Sequence, residues 1–316
     1  MADRRSDGGC HRPVMAERVA ELLITDTSGA YLDLTAGGGG HLLTLAAHLD
    51  PSARIYGADV DPEAVSRTTR ALKGTGQFRG VIQIAFADIS DAARGLKEDR
   101  FDGILLDLGI SSYQLDDPSR GLSFRFDGPL DMRFDPTSGP TAGGLVSRLE
   151  ESELKEILKK YGEERQAAGI AKAIVRERQR GMILTTAQLR DTVLSVVRPP
   201  HQTKTLARVF QALRIAVNRE LEQLSRVLPA ALSLLKSRGR LAVISYHSLE
   251  DRMVKRFLHQ QARGNCTCPP LLPECICGAT PVLSVITRRP ERPSTEEIEA
   301  NPRARSARLR VAEKVS

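Results

Sequence analysis

The run Tyr31-Leu-Asp-Leu-Thr-Ala-Gly-Gly-Gly-Gly-His41 constrains this chain more than any other stretch. Tyr31 to Leu34 read as a short buried strand. Four glycines follow, and Leu42-Leu-Thr-Leu-Ala-Ala47 resumes at helical spacing. A strand that passes into a helix through glycines brings backbone N–H groups and a helix N-terminus up to a ligand. Glycine is needed there because a Cβ would hold the ligand away. A purely structural turn rarely needs four of them. The nicotinamide fingerprint G-x-G-x-x-G fits poorly. Counted from Gly37 and Gly39 its third glycine falls on Leu42; counted from Gly38 and Gly40 it falls on Leu43.

The rest of the chain supplies a setting for such a turn. Arg54 to Asp59 reads as a second strand whose terminal acid sits where a ribose diol is gripped, since one carboxylate can accept from two hydroxyls. Asp61-Pro62-Glu63 starts a helix, with Asp61 as N-cap. Val81 to Phe86 reads as a third strand. Asp102 to Asp107 reads as a fourth, ending in an acid and Leu108-Gly109. This alternation implies a parallel sheet with ligands at the strand C-termini. It then breaks: no convincing strand occurs from Leu115 to about Thr203, and helical patterns near 150–161, 164–180 and 186–197 imply a helical insertion. Lys204 to Leu228 reads as one long helix stepping through Leu206, Phe210, Leu213, Val217, Leu221, Leu224 and Leu228, broken or restarted by Pro229. Arg240–Tyr246, Val282–Thr287 and Ala307–Val311 complete the strands. The expected domains are residues 1–114 with 204–316, forming the sheet, and 115–203, an all-helical insertion.

Charge and cysteine usage narrow the partners. The 316 residues carry a net charge of +7, which suits a polyanion as well as a solvated basic surface. No apolar run spans a membrane, and the polar start lacks a signal-peptide core, so a cytoplasmic location is expected. Four of the five cysteines crowd into 266–277, unlike a secreted disulfide framework.

Several long motifs agree in order. They are His11-x-Pro-Val, the Asp33–His41 turn, Asp102-Gly-Ile-Leu-Leu-Asp-Leu-Gly-Ile-Ser-Ser-Tyr-Gln-Leu115, and Arg120-Gly-Leu-Ser-Phe. Further along come Gly128-Pro-Leu-Asp-Met-Arg133, Tyr161-Gly-Glu-Glu-Arg165, Phe210 to Glu220, Ser245-Tyr-His-Ser-Leu-Glu-Asp-Arg252 and Asn301-Pro-Arg-Ala-Arg-Ser306. Together they resemble the bacterial ribosomal RNA small-subunit methyltransferase H family, also called MraW, over nearly the whole chain. The resemblance implies a Rossmann-like class I S-adenosylmethionine-dependent methyltransferase sheet with the helical insertion after strand four. It implies methylation of a cytidine N4 in the decoding region of 16S ribosomal RNA, the substrate being either the free RNA or the RNA within the small ribosomal subunit. Carried over by position, Gly39, Gly40, His41, Asp59, Phe86, Asp107 and Gln114 line the S-adenosyl-L-methionine site. Two departures stand out: Tyr246 where Phe is common, and an altered segment His201 to Val209.

The residues themselves suit that chemistry. Backbone N–H groups at Gly39 and Gly40 suit the donor's carboxylate, Asp59 its ribose, and Asp107 its cationic end. Phe86 suits a face of adenine and equally an ordinary core position. An exocyclic amine is a poor nucleophile because its lone pair is delocalised into the ring, so it needs acceptors that orient it. Asp107, the Leu108–Ile110 carbonyls, and Ser111 or Ser112 can serve. Tyr113 can stack on an extruded base or pack internally. Cytosine C5 methylation would need a cysteine nucleophile, and Cys268 lies far along the chain among three other cysteines. Cys266, Cys268, Cys275 and Cys277 suit a tetrahedral structural Zn²⁺ as well as reduced thiols in a surface loop. At His247–Asp251 a Ser-His-acid hydrolase is opposed by the absence of a G-x-S-x-G elbow; Ser248 is expected to cap a helix, with Asp251 at its third position. Arg120, Arg125, Arg133, Arg176, Arg178 and Arg180 are expected to face RNA from a cap overhanging the strand ends, and 288–292 and 303–310 add further arginines. A ribosome-binding assembly factor with a vestigial pocket is the alternative from another class; the intact glycine turn with Asp59 and Asp107 opposes it.

Overall fold

The computed structural model describes residues 13–92, 96, 98–264, 266, 268–269 and 276–315. His11, Arg12 and Cys275 lie outside the described residues. In chain order the elements begin with α1 (Ala16–Leu23), β1 (Ala30–Asp33), α2 (Gly40–His48), β2 (Arg54–Asp59), α3 (Pro62–Ala71), β3 (Phe78–Gln83), α4 (Ile89–Ala92) and β4 (Phe101–Asp107). Helices follow: α5 (Ser112–Asp116), α6 (Ala142–Arg148), α7 (Glu151–Gly162), α8 (Ala167–Arg178), α9 (Thr186–Leu194), α10 (Gln202–Asn218) and α11 (Glu220–Leu234). The chain closes with β5 (Leu235–Ser245), α12 (Ser248–Ala262), β6 (Leu283–Val285), α13 (Thr295–Ala300) and β7 (Arg308–Lys314). Two compact units result: residues 1–109 with 224–316, and residues 110–223.

The first unit holds a seven-stranded sheet of order β3-β2-β1-β4-β5-β7-β6. β1 to β5 pair in parallel, while β7 runs antiparallel to both β5 and β6. This is the Rossmann-like class I methyltransferase sheet that the motifs imply. The chain moves outward from β1 to β3 and returns on the other side at β4. A crevice therefore opens beyond the C-termini of β1 and β4, where parallel sheets take their ligands. Side-chain alternation loads both faces. Leu32, Ile104, Leu106 and Val243 pack with Leu228, Val254 and Leu258. Tyr31, Leu105 and Ile244 pack with Val19, Leu23, Leu42 and Leu45. Strands buried on both faces read as continuous apolar runs, which is why β4 and β5 are visible in the sequence.

β3 lies about three residues earlier than its pattern predicts. It pairs with β2 from Ile55↔Phe78 to Asp59↔Gln83, so it stops where β2 stops. Gly80, at φ +145°, hides its start, and Phe86 falls into a 3₁₀ turn instead.

The second unit packs its helices around Leu154, Leu158, Ile170, Ile174, Leu189, Val193, Phe210 and Leu213. No strand occurs among its described residues. The long helix expected over 204–228 is two helices. It breaks at Arg219, in the left-handed region at φ 51°, and α11 then runs through Pro229. Asn218 sets the break: its amide donates to the carbonyl of Met132 at 2.8 Å and its Oδ1 accepts from the N–H of Phe134 at 2.7 Å. Apolar spacing continues in phase across the break and conceals it. α10 belongs to the helical unit, so the expected boundary at 203/204 falls inside that unit.

Candidate active site

The site is built from the ends of β1, β2 and β4. Asp33 ends β1 and is wholly buried. Its Oδ1 accepts from the N–H and hydroxyl of Thr35 at 2.9 and 3.0 Å. Its Oδ2 is buried with no partner among the described atoms. Burial pushes this carboxyl up to about 6, against the pull of His41 and the Thr35 bonds. The Thr35 hydroxyl in turn accepts from the N–H of Asp107 at 2.7 Å, tying the glycine turn to β4.

Within the turn, Gly37 and Gly39 lie at φ +55° and +83°, a region a side chain adopts only with strain. A Cβ on Gly40 would stand 3.1 Å from the ring of Pro13. Gly39 caps α2 without a side-chain acceptor, so the helix presents N–H groups of the kind that bind an anion. Asp59 shapes the same turn from β2. Its Oδ2 accepts from the N–H of Gly37 at 2.8 Å and its Oδ1 from the N–H of Asp61 at 2.9 Å. Each oxygen keeps a second lone pair. Burial pushes Asp59 up to about 6 as well, outweighing those two N–H bonds.

Asp107 ends β4 with its side chain 22 % exposed. Its Oδ1 accepts from the Tyr246 hydroxyl at 2.8 Å, and its Oδ2 lies 3.2 Å from His41 Nε2. His41 is buried, and its Nδ1 has no partner among the described atoms. Burial disfavours the imidazolium, but the bond to Asp107 and the charges of Asp107 and Asp33 reverse this, so the ring titrates above its ordinary range. Burial, then the Asp107 charge, hold the Tyr246 hydroxyl well above the usual phenol range. Phe86 is half-buried on the sheet core, next to the end of β3.

His41, Asp59 and Asp107 of the expected site thus converge with the glycine turn. Three contributors were not foreseen: the carboxyl of Asp33, the Thr35 hydroxyl and the Tyr246 hydroxyl. Asp33 and Thr35 stand in the turn motif itself. Tyr246 registers in the sequence only as a departure from Phe.

Ser111, Ser112 and Gln114 belong to the helical unit. Ser111 caps α5: its hydroxyl accepts from the N–H of Gln114 at 3.2 Å, and Gln114 Oε1 accepts from the N–H of Ser111 at 3.0 Å. Gln114 is buried and Tyr113 exposed. Among the insert arginines, Arg120 is buried and donates to the carbonyls of Arg133 and Phe134 at 3.1 and 2.7 Å. Arg133 forks onto Asp131, and Arg178 donates to the carbonyls of Val146 and Leu149. Arg125, Arg176 and Arg180 are exposed.

The cap of α12 is His247, not Ser248. His247 Nδ1 accepts from the N–H of Glu250, whose carboxylate accepts from the N–H groups of Tyr246 and His247. A buried glutamate aimed back at the turn decides the capping register. Asp251 pairs with Arg308 and Arg310 at 2.9 and 2.7 Å. Burial opposes its charge, but the two guanidiniums hold the carboxyl below its usual range. These contacts use the motif's acid as a structural link between α12 and β7.

Comparison with known proteins agrees with this geometry. The family description "MraW methylase family" matches residues 8–315. The "Ribosomal RNA small subunit methyltransferase H" of Trichlorobacter lovleyi is 45 % identical over 308 residues, covering 96 % of this chain and 98 % of that protein. The protein of the same name from Thermomicrobium roseum is 47 % identical over 310 residues, covering 97 % and 94 %. That from Heliobacterium modesticaldum is 45 % identical over 309 residues, covering 96 % and 98 %.

Proposed function

The chain belongs to the MraW methylase family, and from that premise we propose that it transfers a methyl group from S-adenosylmethionine to the exocyclic N4 of a cytidine in the decoding region of 16S ribosomal RNA. The observation that carries the reading is the Asp107 carboxylate, partly exposed at the end of β4 and held by His41 and Tyr246 beside the glycine turn.

The chain's groups fit this donor. Asp33 Oδ2 is a buried acceptor without a partner among the described atoms, a costly state unless a cationic ligand meets it. The α2 N-terminus suits the donor's carboxylate, the free lone pairs of Asp59 suit its ribose hydroxyls, and the open part of Phe86 suits its adenine. When bound, the donor supplies an electrophilic methyl on a sulfonium.

Asp107 then acts on the amine. Tyr246 and His41 each occupy one lone pair of its carboxylate and fix its orientation. The remaining lone pairs accept amine hydrogens and turn the nitrogen lone pair toward the methyl. The N–CH₃ bond forms as the S–CH₃ bond breaks, and the surplus proton leaves to solvent or a carboxylate. Ser111 and Ser112 come two and three residues after Gly109. Both are proposed as hydroxyls that help orient the amine, Ser111 also capping α5. Exposed Arg125, Arg176 and Arg180 suit RNA phosphates, supporting the helical unit as the RNA-recognising part. Exposed Arg288, Arg289, Arg292, Arg303 and Arg305 add basic surface on the sheet unit.

The test is methyl transfer from labelled donor to naked 16S RNA and to small subunits, followed by nucleoside mass spectrometry. N4-methylcytidine is the expected product. Label on C5, on adenine or on protein would overturn the assignment, and failure to bind donor at micromolar concentration would favour the assembly factor.

A further inference from the structure

A second cluster of reactive side chains lies on the connection between α12 and β6, within the sheet unit. This connection is pinched at its base. The N–H of Val282 donates to the carbonyl of Gln261 at 3.0 Å. Gly264, at φ +61°, lies so close to Thr280 that a Cβ would collide with that residue's backbone. The described ends of the connection are thus held together at its base. Apolar burial does not add to this at Ile276, which is 79 % exposed.

Sulfur geometry points to a second tie across the connection. The Sγ atoms of Cys266, Cys268 and Cys277 all lie within 4.8 Å of one another. Cys266 and Cys277 are 3.6 Å apart, Sγ to Sγ. A disulfide requires about 2.05 Å. Thiolates on one tetrahedral Zn²⁺, with Zn–S about 2.3 Å, stand about 3.8 Å apart along the tetrahedron's edge. The observed separation matches the second arrangement. Soft thiolates also select Zn²⁺ over the hard Mg²⁺ that accompanies RNA.

We propose that Cys266, Cys268 and Cys277 bind one structural Zn²⁺ and that a fourth ligand completes the tetrahedron. Binding needs no oxidant: each thiol loses a proton as its Zn–S bond forms. The metal would tie Cys277 to Cys266 and Cys268 and so couple ligand binding to folding of this connection. It takes no part in methyl transfer, because these thiols belong to the α12–β6 loop and not to the strand ends that hold Asp33, Asp59 and Asp107.

The experiment is elemental analysis of the full chain purified without chelator, with Co²⁺ exchanged for the native metal as a spectroscopic probe. About one Zn²⁺ per chain is expected, with intense tetrahedral Co²⁺ bands and a sulfur-to-cobalt charge-transfer band in the near ultraviolet. Cys266→Ser with Cys277→Ser should lower bound zinc at least about tenfold while donor affinity stays within about twofold. Should the variant fold poorly, the native chain decides: a mercurial thiol reagent should release zinc in proportion to the thiols blocked. A folded, metal-free chain whose thiols all react at once with Ellman's reagent would overturn the proposal. So would a Cys266–Cys277 disulfide in protein purified without oxidant.

Discussion

The acids at the strand ends of the sheet unit and the buried Arg120 of the helical unit are held in opposite ways. In the sheet unit, Asp33 and Asp59 gather at the ends of β1 and β2. Burial raises both toward 6, and Asp33 keeps an oxygen with no partner. In the helical unit, Arg120 is equally buried, yet its guanidinium donates to two backbone carbonyls. Thr186, also buried there, donates to the carbonyl of Phe126 at 2.8 Å. Glu164 and Gln223 depart from this: one oxygen of each lacks a hydrogen bond among the described atoms, although the Arg208 guanidinium stands 3.6 Å from Glu164. A buried polar group with its partners in place maintains a fold. A buried acid with one oxygen lacking a partner among the described atoms, at the rim of a parallel sheet, suits a cationic ligand. The contrast separates residues that serve chemistry from residues that serve structure, even where both are charged and buried.

The sharpest way to break the contrast is Asp107→Ala. Turnover should fall about 10²–10³-fold, the usual effect of deleting a group that orients charge at the reacting atoms. Donor affinity should change far less. Single-turnover kinetics beside calorimetry separates the two, and unchanged turnover would remove Asp107 from its role.

Titration sharpens the contrast next. Asp33 and Asp59 carry folded values near 6 against an ordinary 3.8. Between about pH 4 and 6 the folded chain therefore holds more protons than the unfolded chain, and stability without ligand should fall as pH rises through that window. His41 acts in the same sense: its raised value favours the fold at low pH and is lost as pH rises through it. Donor binding needs the carboxylates ionised, so affinity should rise over the same window, by up to about tenfold per pH unit for one carboxylate. The thermal melt without donor should thus fall across this window, while the melt at saturating donor stays nearly level. Parallel slopes would mean that neither acid meets the ligand.

Arg120→Ala tests the other half of the comparison. It leaves the carbonyls of Arg133 and Phe134 unpaired, so stability should drop by about 1–3 kcal/mol in denaturant melts. Asp59→Ala should weaken donor binding by a similar 1–3 kcal/mol, roughly the loss of hydrogen bonds to a charged acceptor, with intrinsic methyl-transfer rate at saturation less affected. The smallest effect is expected for the exposed arginines. Single alanines at Arg125, Arg176 and Arg180 should each lower the salt slope of RNA binding by about one and leave donor affinity untouched. A flat response would place the RNA contacts elsewhere.

The sheet was legible because strands buried on both faces cannot avoid apolar runs, and because each run ends in a turn signal. Residues 30–34, 54–59 and 101–107 could be read almost to the residue. The glycine turn, Asp59 and Asp107 were legible for a related reason: a ligand pressed against backbone leaves glycines, and a strand end leaves an acid. Local chemistry determined those features within a few neighbouring residues. Tertiary contacts decided the rest. The break at Arg219 depends on Asn218 reaching Met132 and Phe134, 86 and 84 residues away in sequence. The capping of α12 depends on Glu250 folding back on His247. Which arginines remain for RNA depends on carbonyls that Arg120 and Arg178 find only in the folded unit. The hydroxyl that orients Asp107 comes from Tyr246, 139 positions away, because β5 pairs with β4. Periodicity and spacing act over one turn or one strand, whereas a hydrogen-bond partner is chosen by whatever packing brings within 3 Å.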